Sequence, residues 1–253
     1  MSRAKTWSRL SGDSGQPRSR GVIQGPRVAL PERRLVVETL RSLGARELFA
    51  AQLLGAGLKL APSIDDSLVL GQESLRHLER FETLSAMFEG IGAGELLLAA
   101  GKVLDGCPAP RSWSELVLAR FLLSGAGCAQ LERCKRWSAE TQFLKAVEEM
   151  HVLECEHQEI ARATLRDLAR QGGVRPVTAQ SDLERWTRTV LVFLDGPAAR
   201  ASSRTTQPDA SWQGGDLVRD FATAVESTLA VCGLRLPIAG ELARDASVGA
   251  AAR

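Results

Sequence analysis

Apolar residues recur at alternating steps of three and four over four long stretches of the chain, the spacing that lines one face of an α-helix. The first stretch opens at Pro31-Glu32, a favourable first-turn pair, and runs to about Leu60 with Leu40, Leu43, Glu47, Ala50 and Leu54 on its inward stripe. Pro62-Ser63 breaks the chain, and Ser63 caps a second helix that reaches about Glu89 before the run Gly90-Ile91-Gly92-Ala93-Gly94. A short apolar segment, Glu95 to Leu104, precedes the turn at residues 105–110. A third helix opens at Ser112-Trp113-Ser114-Glu115, an S-x-x-E box whose hydroxyl and carboxylate can satisfy free amide donors reciprocally. A fourth, from Ser138 to about Arg170, has the clearest period and stops at Gly172-Gly173. Two shorter helices are predicted near Asp182–Leu194 and Asp216–Cys232, joined by a polar, mobile loop over residues 196–215.

Four long antiparallel helices must bury their apolar stripes on one another, so the pattern predicts an all-α four-helix bundle with additional C-terminal helices. Composition agrees: apolar residues make up 44%, tyrosine is absent, and β-branched runs of the kind that build sheets are missing. No stretch approaches the roughly 18–20 uncharged residues of a membrane span, and the basic start lacks the apolar core of a secretory signal. The formal charge of +2 conceals an asymmetry, with +5 in residues 1–30 and about −3 in the remainder. The body is too weakly charged to bind nucleic acid through charge alone. Residues 1–30 are expected to form a disordered basic tail, residues 31–240 the helical domain, and residues 241–253 a frayed end. Five cysteines without a C-x-x-C pair argue against a disulfide framework or zinc knuckle and suit a cytoplasmic protein with reduced thiols.

Candidate chemistry lies where polar residues interrupt the stripes. On the fourth helix Val147, Met150, Glu154, His157, Ala161, Thr164 and Leu168 share a face, so Glu154 and His157 fall one turn apart among core positions. On the second, Leu70, Ser74, His77, Phe81, Leu84 and Phe88 form the matching face, with Glu73 one residue round the helix. Glu47 interrupts the first helix, and the third reads Val117, Phe121, Ser124, Cys128, Leu131. A carboxylate in an apolar core costs several kcal/mol unless it is paired, protonated or bound to metal. Two solutions stand open: a metal centre, or a hydrogen-bonded cluster such as Glu47–His77 with Glu154–His157. A second pair, Glu148/His151, is off the best stripe and reads as a solvated face.

The helix order, Glu47, the Ser74-Leu75-Arg76-His77 segment, Ser124, the Glu154-Cys155-Glu156-His157 segment and the Ser112-Trp113 opening resemble the ferritin-like, carboxylate-bridged diiron proteins. The nearest resemblance within them is to the subunits of bacterial phenylacetyl-coenzyme A epoxidase. It spans roughly residues 35–240 and includes Phe221–Val225 and the Gly233–Pro237 close. A looser similarity extends to ferritin-like tRNA hydroxylases. The resemblance implies metal ligands at Glu47, His77, Glu154 and His157, with Glu73 a further candidate if its helix is locally over- or under-wound. Ser74 and Ser124 stand where a bridging carboxylate belongs, and a neutral hydroxyl supplies neither its charge nor its second oxygen. The set is therefore degenerate, and iron is expected to be sub-stoichiometric.

Three functions follow from the resemblance. One is a non-haem (di)iron monooxygenase acting on a small organic or acyl-thioester substrate, served by an electron-transfer reductase. Another is a non-catalytic ferritin-like subunit that assembles with itself or with a related subunit. The third is a tRNA-modifying hydroxylase whose basic tail docks phosphate.

Overall fold

The computed structural model describes residues 30–90, 108–135, 141–174, 176–194 and 214–237. They form six helices: α1 (Leu30–Gly57), α2 (Ile64–Gly90), α3 (Trp113–Lys135), α4 (Thr141–Arg170), α5 (Pro176–Leu194) and α6 (Gly214–Val231). A single 3₁₀ turn, Leu58–Leu60, links α1 to α2, and there is no strand among the described residues. The expected tails and the segments at Glu95–Leu104 and 196–213 lie outside them.

The helix boundaries have local causes. Ser63 Oγ accepts the Asp66 N–H at 3.1 Å, capping α2 as the sequence predicts. At α3, Ser112 Oγ accepts the Glu115 N–H at 3.2 Å. The reciprocal half of the box differs: the Glu115 carboxylate takes the Arg111 N–H at 2.8 Å, and also Trp186 Nε1 from α5 at 2.8 Å. Helices α4 and α6 end in the same way, with Gly172 and Gly233 at φ of 73° and 71°. In each, the next residue's N–H returns to a carbonyl five positions back, Gly173 to Leu168 at 2.8 Å and Leu234 to Leu229 at 2.9 Å. That closure needs a left-handed residue, which glycine adopts without steric cost. Helix α5 begins six residues before the expected Asp182. Pro176 is pre-organised for a first turn, but Val177 and Thr178 are exposed and carry no inward stripe to read.

Helix α1 packs along α2, and α3 packs along α4. The third helix departs from the expectation of a single inward stripe. Nineteen of its residues are buried, from Glu115 to Cys134, because α1, α4, α5 and α6 all lie against it. Apolar residues on every face of a helix are the signature of such a central position. The main core fills the space between α1, α3, α5 and α6: Phe49 stacks on Trp186 and on Phe193 with ring centroids 6.2 and 5.3 Å apart, beside Leu122, Phe221 and Leu229. No helix of the described residues is long and apolar enough to cross a membrane.

Candidate functional site

Where side chains of α1, α2, α3 and α4 meet, the interior is ionic. The stripes place Glu47 on α1, His77 on α2, and Glu154 and His157 on α4 at one depth, and all four are at most 3% exposed. His77 Nδ1 donates to Glu47 Oε2 at 2.6 Å. The His77 and His157 rings lie 5.4 Å apart, centre to centre. His77, Glu154 and His157 each offer a ligand atom, and these atoms lie within 4.8 Å of one another, so the trio could hold a metal ion. Glu47 stands behind His77 instead, in the position of a carboxylate that orients a liganding imidazole through its other nitrogen. Glu73, 3% exposed, is likewise outside the trio.

Three buried arginines beside the apolar stripes decide the electrostatics. Arg46, Arg80 and Arg120 are 0%, 5% and 5% exposed. Arg46 donates to Glu47 at 2.5 Å and lies 3.0 Å from Glu154 Oε1. Arg80 Nη1 donates to Glu154 Oε2 at 2.6 Å and lies 3.6 Å from Glu47 Oε2. Arg120 of α3 donates to Glu73. Three carboxylates thus face three guanidiniums, a cluster of zero net charge when both histidines are neutral. The signal was present in the sequence: Arg80 follows His77 by three positions, Arg120 precedes Ser124 by four, and Arg46 adjoins Glu47.

Proton affinities follow from this pairing. Burial by itself raises the Glu154 carboxyl, but Arg46, His77, Arg80 and His157 reverse that and hold it down at about 2. Burial likewise opposes ionisation of Glu47, and Arg46 and His77 outweigh it. Arg46 is kept above its ordinary value because Glu154 and Glu47 overcome the burial that would lower it. The Glu73–Arg120 pair is less well compensated: burial raises Glu73 and lowers Arg120, and each only partly corrects the other. His157 is pushed down to about 3, chiefly by burial, with His77, Arg80 and Arg120 adding to it against Glu154. It is neutral at pH 7, and neither of its ring nitrogens has a hydrogen-bond partner.

The two serines have separate roles. Ser74 Oγ donates to the Ala51 carbonyl of α1 at 2.8 Å, tying α2 to α1 rather than facing a ligand. Ser124 is buried and borders a cavity with His77, Arg120 and Glu154. That cavity measures about 10 Å³, room for one water and not for an organic substrate. Close approach of α3 makes the cluster possible: a Cβ at Gly127 would lie 2.7 Å from Arg46 Cζ and 2.8 Å from Glu154 Cδ. Of the second Glu-x-x-His pair, Glu148 is exposed as expected, but His151 is half-buried and its Nδ1 accepts from Lys135 of α3 at 2.8 Å.

A diiron centre does not fit these residues. Each of the three carboxylates already faces a guanidinium, and Ser74 and Ser124 offer neutral hydroxyls, the first of them spent on the Ala51 carbonyl. Compared with known proteins, the chain matches no family model and no curated protein sequence.

Proposed function

We propose that this chain is a ferritin-like bundle in which arginines have taken the place of the irons, a non-catalytic subunit that works by assembling with another helical subunit. The observation that carries this reading is the trio Arg46, Arg80 and Arg120, which supplies inside the bundle the positive charge that two metal ions would otherwise bring. A buried acid is retained at tolerable cost only when its charge is met, and here it is met by the chain itself. The 10 Å³ cavity beside the cluster supports the same conclusion, since it holds no place for a substrate. The outer face of α2 supports assembly: Ile64, Leu68, Leu75 and Leu78 follow helical spacing and are 79%, 59%, 57% and 41% exposed.

Two measurements test it. Iron analysis after expression and reconstitution with excess ferrous iron should find less than one ion per chain; two tightly held irons would overturn the proposal. In sedimentation the chain should self-associate, and Leu75→Glu with Leu78→Glu should return it to monomers; a wild-type monomer at high concentration would refute assembly through this face with a second copy.

One observation favours a second reading. The convergence of His77, Glu154 and His157, with His157 free of hydrogen bonds, suits a single iron ion in a non-haem oxygenase-type protein. When bound, that ion would supply dioxygen chemistry; Glu47 would orient His77 and the surrounding core would exclude water. Loss of a one-to-one ferrous complex in His157→Ala, with no binding change in Glu73→Gln, would favour it over the first. The RNA-modifying alternative rested on residues 1–30, and residues 1–29 lie outside the described structure.

A further inference from the structure

A pair of thiols stands one helical face away from the ionic cluster. Cys128 of α3 and Cys155 of α4 have their sulfurs 3.4 Å apart, and neither is in a disulfide. Cys128 is 8% exposed, whereas Cys155 is half-buried and open at one side. Beside Cys155 stands His151. The Lys135 ammonium, which has no lone pair to offer, donates to His151 Nδ1 at 2.8 Å. That bond leaves the ring proton on Nε2, which lies 3.7 Å from Cys155 Sγ. The Cys155 sulfur also lies 4.0 Å from Nδ1, so the more accessible thiol rests against the imidazole ring, while the less accessible one waits behind it.

We propose that Cys128 and Cys155 form a reversible redox site, in which a hydroperoxide oxidises Cys155 and Cys128 resolves the product into a disulfide between α3 and α4. In the first step the Cys155 sulfur attacks the outer oxygen of hydrogen peroxide and the O–O bond breaks. The thiol proton passes to the departing hydroxide, so that one sulfenic acid and one water form. In the second, the Cys128 sulfur attacks Cys155 Sγ, the S–O bond breaks, and the Cys128 proton leaves with the hydroxyl as a second water. Two thiols have lost two electrons and two protons, and the peroxide has gained them. The geometry requires little: the sulfurs close from 3.4 Å to a bond of about 2.05 Å, within reach of a side-chain rotation on helices already in contact. Order of attack follows access, because an oxidant from solvent meets Cys155 first. The remaining described thiols, Cys134 and Cys232, are buried at 0% and 7% exposure and have no thiol partner among the described residues.

The experiment treats the full chain with hydrogen peroxide, alkylates remaining thiols, and maps tryptic peptides by mass. The expected product joins the peptides 121–133 and 146–162 with a loss of about 2 Da from their sum, and dithiothreitol restores both thiols. Cys128→Ser should halt at a sulfenic acid on Cys155 that dimedone captures, and Cys155→Ser should leave Cys128 unmodified. The proposal is overturned if both residues are recovered as free thiols after peroxide, or if Cys155 is found joined to Cys107 or to another chain. The wild-type map is decisive by itself should either serine variant fold poorly, and its result is independent of iron content or assembly.

Discussion

Arg46→Met is the most direct perturbation of the ionic core. The side chain is wholly buried and contacts both Glu47 and Glu154, and methionine fills part of its volume without replacing its charge. The cluster then carries one uncompensated negative charge at 0% exposure. Removing one partner of a buried ion pair costs about 3–5 kcal/mol. At roughly 2–4 °C per kcal/mol for a domain of this size, the melting temperature should fall by some 6–20 °C. Urea unfolding followed by circular dichroism measures the loss, and Arg46→Met with Glu154→Gln, which restores neutrality, should recover part of it. A second arm uses cobalt(II). A divalent ion roughly 4 Å from a guanidinium meets about 8 kcal/mol of repulsion at an effective dielectric of 20, so the wild type should gain nothing from it. The variant has lost one such guanidinium and gained a net charge of −1. Cobalt at a hundredfold excess over its dissociation constant should restore about 2.7 kcal/mol. If the variant is as stable as the wild type, or if cobalt stabilises both equally, arginine does not stand in for metal here.

Acid should weaken the fold in two stages. His157 is held down at about 3 against an ordinary 6.5, so between these values the unfolded chain binds the extra proton and stability declines as pH falls, by at most about 5 kcal/mol. Glu154 contributes stability that is full above its unfolded pKa of about 4.5 and is lost as pH falls through about 2. Urea midpoints at pH 7 and pH 4.5 should therefore differ in the wild type and converge in His157→Gln; parallel behaviour of the two proteins would refute the assignment. Gly127→Ala should cost about 1–3 kcal/mol by crowding Arg46 and Glu154, read as a lowered melting temperature. Glu115→Ala should cost a similar 1–3 kcal/mol, because it removes the acceptor of the buried Trp186 Nε1 and the carboxylate that meets Arg185, and indole fluorescence should change with it.

The helical class, the stop at Gly172-Gly173 and the inward placement of Glu47, His77, Glu154 and His157 were legible in the sequence, because glycine ends a helix readily and a period near 3.6 states which side chains share a face. That reading is local, and its limits were local too. It could assign a stripe to each helix but could not say how many neighbours surround one. Helix α3 therefore appeared to have a single inward face, although α1, α4, α5 and α6 bury it all round. For the same reason the apolar period did not single out Arg46, Arg80 and Arg120, which lie beside the stripes. An arginine lies outside or inside according to whether an opposing helix brings it a carboxylate, and that depends on packing between segments as distant in sequence as Arg46 and Glu154. Tertiary structure alone decided that the acids of the core are met by the chain's own cations, and that Cys128 and Cys155 face each other. Periodicity carries direction along one helix; charge balance and sulfur contact are properties of the space between two.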